Sequence, residues 1–244
     1  MFSPCVVIPT FDNPRTLRAV VERVRSHLTD VIVVDDGSGP EGLAVADALE
    51  RDGLAFVHRR ARNGGKGAAV KDGLRVAFER GFTHALQVDA DGQHDLDAVP
   101  RFLDAARVSP DALVLGQPEF DASAPALRRK ARLITVFFVH LECGGRAIAD
   151  PMCGFRVYPV GASLAAGAHG NAMDFDIEIA VRMVWLGVPV INLPTRVRYL
   201  QAGEGGVSHF RMFRDNALIS WVHTRLVTLR ILRGLGLVAR RRLP

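Results

Sequence analysis

The strongest constraint on the fold is an alternation that runs through the first 117 residues. Short β-branched runs are each followed by a polar turn and a stretch of helical periodicity. "CVVIP" opens the series as a strand. Asn13 and Pro14 read as the cap and first position of a helix whose apolar stripe is Leu17, Val20, Val21, Val24 and Leu28. "VIVV" is a second buried strand, followed by the turn "DDGSGP" and a helix through about Leu49. "LAFV" is a third, followed by the Gly-rich "RNGGKGAA" that opens a helix to Arg80. "HALQV" is a fourth, then "DADGQHD", a helix from about Leu96 to Val108, and "ALVLG" as a fifth. Strands that alternate with helices form a parallel sheet covered on both faces, so an α/β protein is expected.

That layout gives the polar turns their meaning. In an open α/β sheet, ligands bind beyond the carboxyl ends of the strands. "PTFDN", "DDGS", "NGGKG" and "DADGQ" all follow strands or begin the next helix, so they converge on one edge. Each alone is ordinary turn chemistry, because turns favour Asp, Gly and Asn. Together they mark a ligand site.

Beyond residue 117 the alternation weakens. "APALRRKARLITVFFVHLE" reads as helix, "CGFRVYP" as a short strand, "DFDIEIAVRMVWLG" as helix, "VPVINLP" and "TRVRYL" as strands, and Phe210 onward as helix. No linker composition separates the halves. At 244 residues the chain can bury a sizeable core. Cys5, Cys143 and Cys153 form no C-x-x-C pair, which argues against a disulfide framework or structural zinc and fits a reducing cytosol. The N-terminus lacks a basic region and a long apolar run, so no signal peptide is expected. No stretch offers about 20 uninterrupted apolar residues for a membrane span. The net charge of +5 sits in the tail, where Arg211, Arg214, Arg225, Arg230, Arg233, Arg240, Arg241 and Arg242 face a single acid, Asp215. Such a tail suits an anionic lipid surface, nucleic acid or plain solvation.

The D-x-D of "DADGQ" sets two like charges one residue apart, which calls for a cation. An EF-hand is excluded, because its sixth and twelfth positions are His94 and Pro100 rather than Gly and Glu. A dehalogenase-type phosphatase wants Thr or Val where Gln93 stands. What fits is a hard divalent cation that already carries phosphate oxygens. "NGGKG" is not a G-x-x-x-x-G-K-[ST] loop, and no G-x-G-x-x-G follows the first strand, yet a Gly-rich loop with a lysine at a helix start suits a nucleotide. Asp35 and Asp36 of "VVDDGS" suit hydrogen bonds to a base edge or ribose, or a plain turn.

Taken in order, "IPTFDN", "VVDDGS", "NGGKGAAVKDGL", "VDADGQHD" and "DPMCGFRVYP" resemble the family 2 glycosyltransferases of the GT-A fold, over about residues 5–210. The branch most resembled contains dolichyl-phosphate mannosyltransferase and the polyprenyl-phosphate sugar synthases. The resemblance implies a Rossmann-like, mostly parallel sheet with helices on both faces and a C-terminal helical extension. Residues 1–205 would be the GT-A domain, with 1–117 as the nucleotide-sugar half and 118–205 as the acceptor half; 206–244 would be the basic extension. It also implies inverting transfer from a nucleotide-diphosphate sugar. By this resemblance Pro9, Thr10, Asp12, Asp35, Asp36, Gly65, Lys66 and Asp89 line the nucleotide. Asp89 and Asp91, with Gln93, hold Mn²⁺ or Mg²⁺ on the diphosphate. Asp150 and Arg156 face the reacting centre and acceptor: Asp150 as a general base for a hydroxyl acceptor, with a turn cap ahead of Pro151 as the plainer alternative, and Arg156 as charge beside a phosphate, with a surface side chain as the plainer alternative.

Two departures stand out. "LGQPEFD" lacks the Gly-x-Arg that many members carry after the fifth strand, and the transmembrane helices frequent in the branch are missing from the sequence. Asp176 and Glu178 are further candidates, although acids in a first helical turn also complement the helix dipole. Ser208 and His209 follow a Gly-rich loop that could close on the diphosphate; a helix cap and a surface side chain are the plainer alternatives. The expected acceptor is a lipid or polyprenyl phosphate, with no nucleic-acid partner. The expected location is cytoplasmic, peripheral at the inner face of the membrane. A metal-dependent nucleotidyltransferase or phosphatase, or a non-catalytic nucleotide-sugar or membrane-binding protein, is the competing class.

Overall fold

The computed structural model describes residues 1–120, 126–198 and 211–238. The strands are β1 (Pro4–Thr10), β2 (Val31–Asp35), β3 (Phe56–Arg59), β4 (His84–Gln87), β5 (Leu113–Phe120), β6 (Arg156–Pro159) and β7 (Val190–Val197). They form one seven-stranded sheet in the order β3-β2-β1-β4-β6-β5-β7. Only β6 runs against its neighbours, with Leu86 opposite Val157 on one side and Val114 opposite Val157 on the other.

The helices are α1 (Leu17–Arg25), α2 (Pro40–Arg51), α3 (Lys66–Glu79), α4 (Val99–Val108), α5 (Ala126–Cys143), α6 (Val160–Ala166), α7 (Asp174–Trp185) and α8 (Met212–Gly234). The two-residue period of a strand sends alternate side chains to opposite faces. Val6 and Ile8 therefore join a core with Leu17 and Val21 of α1, Leu49 of α2 and Phe102 of α4. Cys5 and Val7 join the opposite core with Leu74 of α3, Val139 of α5, Ile179 of α7, and Ile219, Val222 and Leu226 of α8. Both faces are covered, as the alternation requires.

The structure departs from the sequence reading at two places. Asn13 does not cap α1: its Nδ2 donates to the Phe11 carbonyl at 3.0 Å, and the helix begins at Leu17 after Thr16. The side chain of Thr16 instead donates to the Ala90 carbonyl at 2.6 Å, tying α1 to the D-x-D loop. "VPVINLP" and the start of "TRVRYL" form one strand, β7, through Pro194. β7 lies at the sheet edge, where a missing ladder donor is tolerated. Ser208 and His209, with the Gly-rich stretch before them and Arg240 to Arg242, lie outside the described residues.

Candidate active site

β1, β2 and β4 are parallel neighbours, so their carboxyl ends bring the polar turns together. Pro9 pairs with Val34 and Thr10 with Asp35 in the β1–β2 register. After Thr10 the backbone turns left-handed at Asp12 (φ 49°). Its Oδ1 accepts from the Gly39 amide at 2.8 Å, and its own amide donates to Ser38 Oγ at 2.9 Å. The first two turns are thereby clasped to each other.

Asp35 and Asp36 divide the work. Asp36 is spent within the protein: Oδ1 accepts from the Gly64 amide at 3.0 Å, Oδ2 from the Gly65 amide at 2.7 Å, and Arg60 pairs with it as well. It thus shapes the Gly-rich loop. At Gly65, with φ +98°, any Cβ would run into the Asn171 carbonyl, so the loop needs glycine there. Asp35 is fully buried; Oδ2 accepts from the Ser38 amide at 3.3 Å, while Oδ1 has no partner.

The D-x-D follows β4. Lys66, first residue of α3, places Nζ 2.8 Å from Asp89 Oδ1 and 3.0 Å from Asp176 Oδ2. His94 Nε2 lies 3.4 Å from Asp89 Oδ2. Burial disfavours charge on Asp89, but Lys66 and His94 outweigh it and hold the carboxyl far below the usual range. Burial likewise opposes charge on Lys66, and Asp176 and Asp89 reverse it, keeping the ammonium charged. Asp91 has no such cation: burial and the charge of Asp89 push its carboxyl up. Its Oδ1 accepts from the Gln93 amide at 3.0 Å, and the Gln93 carbonyl accepts from the Arg198 amide at 3.0 Å, which fastens the loop to the end of β7.

Among the described residues, no three His, Cys, Asp or Glu side chains converge to hold a metal unaided. A pair of carboxylates in which one resists ionisation fits a cation that completes its shell with water and diphosphate oxygens.

The acceptor-side residues are placed differently from each other. Asp150 is buried and paired with Arg132, and its Oδ1 also accepts from the Met152 and Cys153 amides at 2.9 Å each. Arg156 was expected to bring charge to a phosphate, but its side chain is wholly buried. It donates to the carbonyls of Cys153 (Nε, 2.9 Å), Asp176 (Nη1, 2.9 Å) and Pro151 (Nη2, 3.2 Å). It braces the turn from beneath because β6 lies between β4 and β5 with both faces covered. Asp176 joins the site through Lys66. Glu178 does not: its carboxylate binds Arg182, Arg225 and the amides of His169 and Gly170.

Reading the sequence missed Arg60, His94, Arg132 and Gly154. Arg60 stands just before the Gly-rich loop and His94 five residues after Asp89, which are the signals that could have found them. Gly154 lies inside the quoted "DPMCGFRVYP", but sequence alone gave it no role; its Cα backs the Asp89 carboxylate so closely that a Cβ would collide with it.

Comparison with known proteins gives the family and the fold. Residues 5–163 match the model of Glycosyl transferase family 2. The chain is 36% identical over 222 residues to a polyprenol monophosphomannose synthase of Mycolicibacterium smegmatis, covering 83% of this chain and 80% of that one. It is 27% identical over 214 residues to an undecaprenyl-phosphate mannosyltransferase of Micrococcus luteus, covering 83% and 86%. Among solved structures, glucosyl-3-phosphoglycerate synthase of Mycobacterium tuberculosis in complex with UDP superposes with a TM-score of 0.68 at 17% identity, covering 98% of this chain and 82% of that one. The same enzyme with Mn²⁺, UDP and glucosyl-3-phosphoglycerate superposes with a TM-score of 0.65. The mixed, mostly parallel sheet is thus a GT-A, Rossmann-like fold, and the chain belongs to the family 2 glycosyltransferases.

Proposed function

We propose that this enzyme transfers a hexose from a nucleotide-diphosphate sugar to a polyprenyl phosphate, with inversion, and that a divalent cation is held by Asp89 and Asp91. The observation that carries the reading is the D-x-D pair at the end of β4, where Asp91 lacks the internal cation that Asp89 has. The relatives named for polyprenol and undecaprenyl phosphate support the acceptor class. UDP in the structural neighbour supports the donor class.

Asp35 Oδ1, buried and unpartnered, would accept from a base edge or ribose hydroxyl. The Asp12–Gly39 and Asp36–Gly65 clasps hold the nucleotide turns in place. Bound Mn²⁺ or Mg²⁺ would act as a Lewis acid on the leaving diphosphate. Gln93 is a third candidate ligand, and its backbone fixes the loop. An acceptor phosphate oxygen then attacks the anomeric carbon from the face opposite the diphosphate. The sugar–oxygen bond to the diphosphate breaks, the nucleoside diphosphate leaves, and the configuration inverts. Because a lipid phosphate is already anionic, no general base is required.

Such an acceptor places the reaction at a membrane, on the cytoplasmic side where nucleotide sugars are the donors. Leu133, Ile134 and Phe137 of α5, with Phe213 and Trp221 of α8, are exposed apolar side chains suited to that surface.

The test is a panel of labelled nucleotide sugars incubated with a short polyprenyl phosphate in detergent, with Mn²⁺, Mg²⁺ or EDTA. Transfer should yield a lipid-soluble product whose formation stops with EDTA. Label that appears only as free sugar, or only on a hydroxyl acceptor, would refute the proposal.

A further inference from the structure

Lys66 engages Asp89 more fully than a passing ion pair would. Its Nζ lies 2.8 Å from Oδ1 and 2.9 Å from Oδ2, so both oxygens of the carboxylate face one ammonium. The same nitrogen lies 3.0 Å from Asp176 Oδ2. Asp89 itself cannot swing aside. Gly154 closes off the space behind it, His94 Nε2 stands 3.4 Å from Oδ2, and Gln87 Nε2 stands 3.5 Å from Oδ1. Asp176 is otherwise under-used: its side chain is 5% exposed, Oδ1 is buried without a hydrogen-bond partner, and Arg156 Nη2 lies 3.9 Å from that oxygen, beyond hydrogen-bond reach.

We propose that Lys66 is a tethered competitor for the divalent cation at Asp89, and that Asp176 is the carboxylate that receives the ammonium when the cation binds. The inference rests on the reading of Asp89 and Asp91 as metal ligands. A divalent cation and an ammonium on the same carboxylate oxygens repel each other strongly in a partly desolvated site. One of them has to give way. Lysine has a flexible four-carbon stem, so its charge can shift by a few ångströms without backbone movement. Asp176 offers a destination already in contact, with an oxygen to spare.

Such an arrangement links the metal to the donor. With Lys66 on Asp89, the protein alone binds the cation weakly. A nucleoside diphosphate adds negative charge that both the metal and Lys66 can share, so the two ligands tighten each other's binding reciprocally. Lys66 sets the size of that coupling, and Asp176 lowers the cost of the exchange. Both are positioning residues for the metal.

The test is Mn²⁺ binding to the full chain, read from the free-Mn²⁺ electron paramagnetic resonance signal and so independent of turnover. Lys66→Met should bind Mn²⁺ about tenfold more tightly than wild type without nucleotide. Lys66→Gln serves as a second neutral variant should the methionine fail to fold, and Lys66→Arg, which keeps the charge, should retain weak binding. Asp176→Asn should weaken binding several-fold, and by less in the Lys66→Met background, since the pair would no longer be coupled. Neutral Lys66 variants that fold but bind Mn²⁺ no better than wild type would overturn the inference, provided that Asp91→Asn still abolishes binding. Unchanged Mn²⁺ binding in Asp91→Asn would instead bring down the metal assignment on which it rests.

Discussion

Arg132 grips Asp150 with two nitrogens: Nη2 donates to Oδ1 at 2.6 Å, and Nε donates to Oδ2. Oδ1 also takes the amides of Met152 and Cys153. A general base needs a lone pair directed at the proton it removes, and here both oxygens already serve the protein. The turn-capping role that sequence offered as the plain alternative is therefore the one this geometry favours. Asp150→Asn keeps an amide acceptor but loses the charge-assisted pair. It should lower stability by about 1.5–3 kcal/mol, and the pH–rate profile should keep the shape it has in the wild type. Thermal melts and that profile check it; loss of one pH limb in the mutant alone would restore the base assignment.

Gly154 gives a second test. Alanine there would push the Asp89 carboxylate out of place, because the added methyl falls on its oxygens. Overpacking of this kind costs about 1–3 kcal/mol. Displacing a reacting group's support by about 1 Å can cost roughly 10²-fold in rate. Gly154→Ala should therefore fold, with turnover down about a hundredfold. Steady-state assay beside a thermal melt would show it, and near-normal turnover would mean that Asp89 need not sit where it does.

How far the sequence went depends on the range of the interaction. The β1–β5 alternation, the apolar stripe of α1 and the meeting of the polar turns rest on local periodicity, and the structure has them. β7 was read as two strands because Pro194 looks like a break, and only the sheet order shows it to be an edge residue. Asp36 and Asp35 look alike in "VVDDGS". Which one is consumed by Gly64 and Gly65 depends on a loop 28 residues away. Arg156 looked like a phosphate ligand because a strand pattern does not say what covers its faces. The Lys66–Asp176 contact joins residues far apart in sequence and left no trace there.

Glu178 anchors α8 to the rest of the molecule. It is fully buried, with Oε1 2.6 Å from Arg182 Nε, and Oε2 2.6 Å from Arg225 Nη2 and 2.8 Å from the Gly170 amide. Burial alone would raise its carboxyl, but the Gly170 amide, Arg182 and Arg225 outweigh it and hold the carboxyl below its ordinary value. The folded state thus binds this proton less readily than the unfolded chain does. The resulting stability is present above the unfolded value of about 4.3 and is lost as pH falls through the lower folded value. Glu178→Gln should cost about 3–5 kcal/mol at neutral pH and flatten part of the acid limb of stability. Denaturant melts between pH 7 and pH 3 check both. A mutant as stable as wild type would mean that α8 is held without this carboxylate, through its buried Ile219, Val222 and Leu226 and the His223–Glu142 contact at 2.7 Å.

The proposed membrane contact through α8 is tested by point variants and not by truncation. Ile219, Val222 and Leu226 are core residues, so removing the helix would uncover the core itself. No helix among the described residues is long and apolar enough to cross a membrane. On its outer side, however, α8 exposes Met212, Phe213, Trp221 and Ile231, with Arg214 exposed beside the first pair. Apolar side chains would enter the interface while the arginine meets lipid phosphates. A basic residue near an anionic surface contributes about 1 kcal/mol, so Arg214→Ala should weaken binding to anionic vesicles about fivefold. Added salt should weaken wild-type binding in the same direction. Phe213→Ala or Trp221→Ala should reduce binding to anionic and neutral vesicles alike, because the lost contribution is apolar. Vesicle flotation distinguishes the two patterns. Binding that ignores salt, Arg214 and both aromatic residues would show that α8 serves the fold alone and that the acceptor is met on another surface.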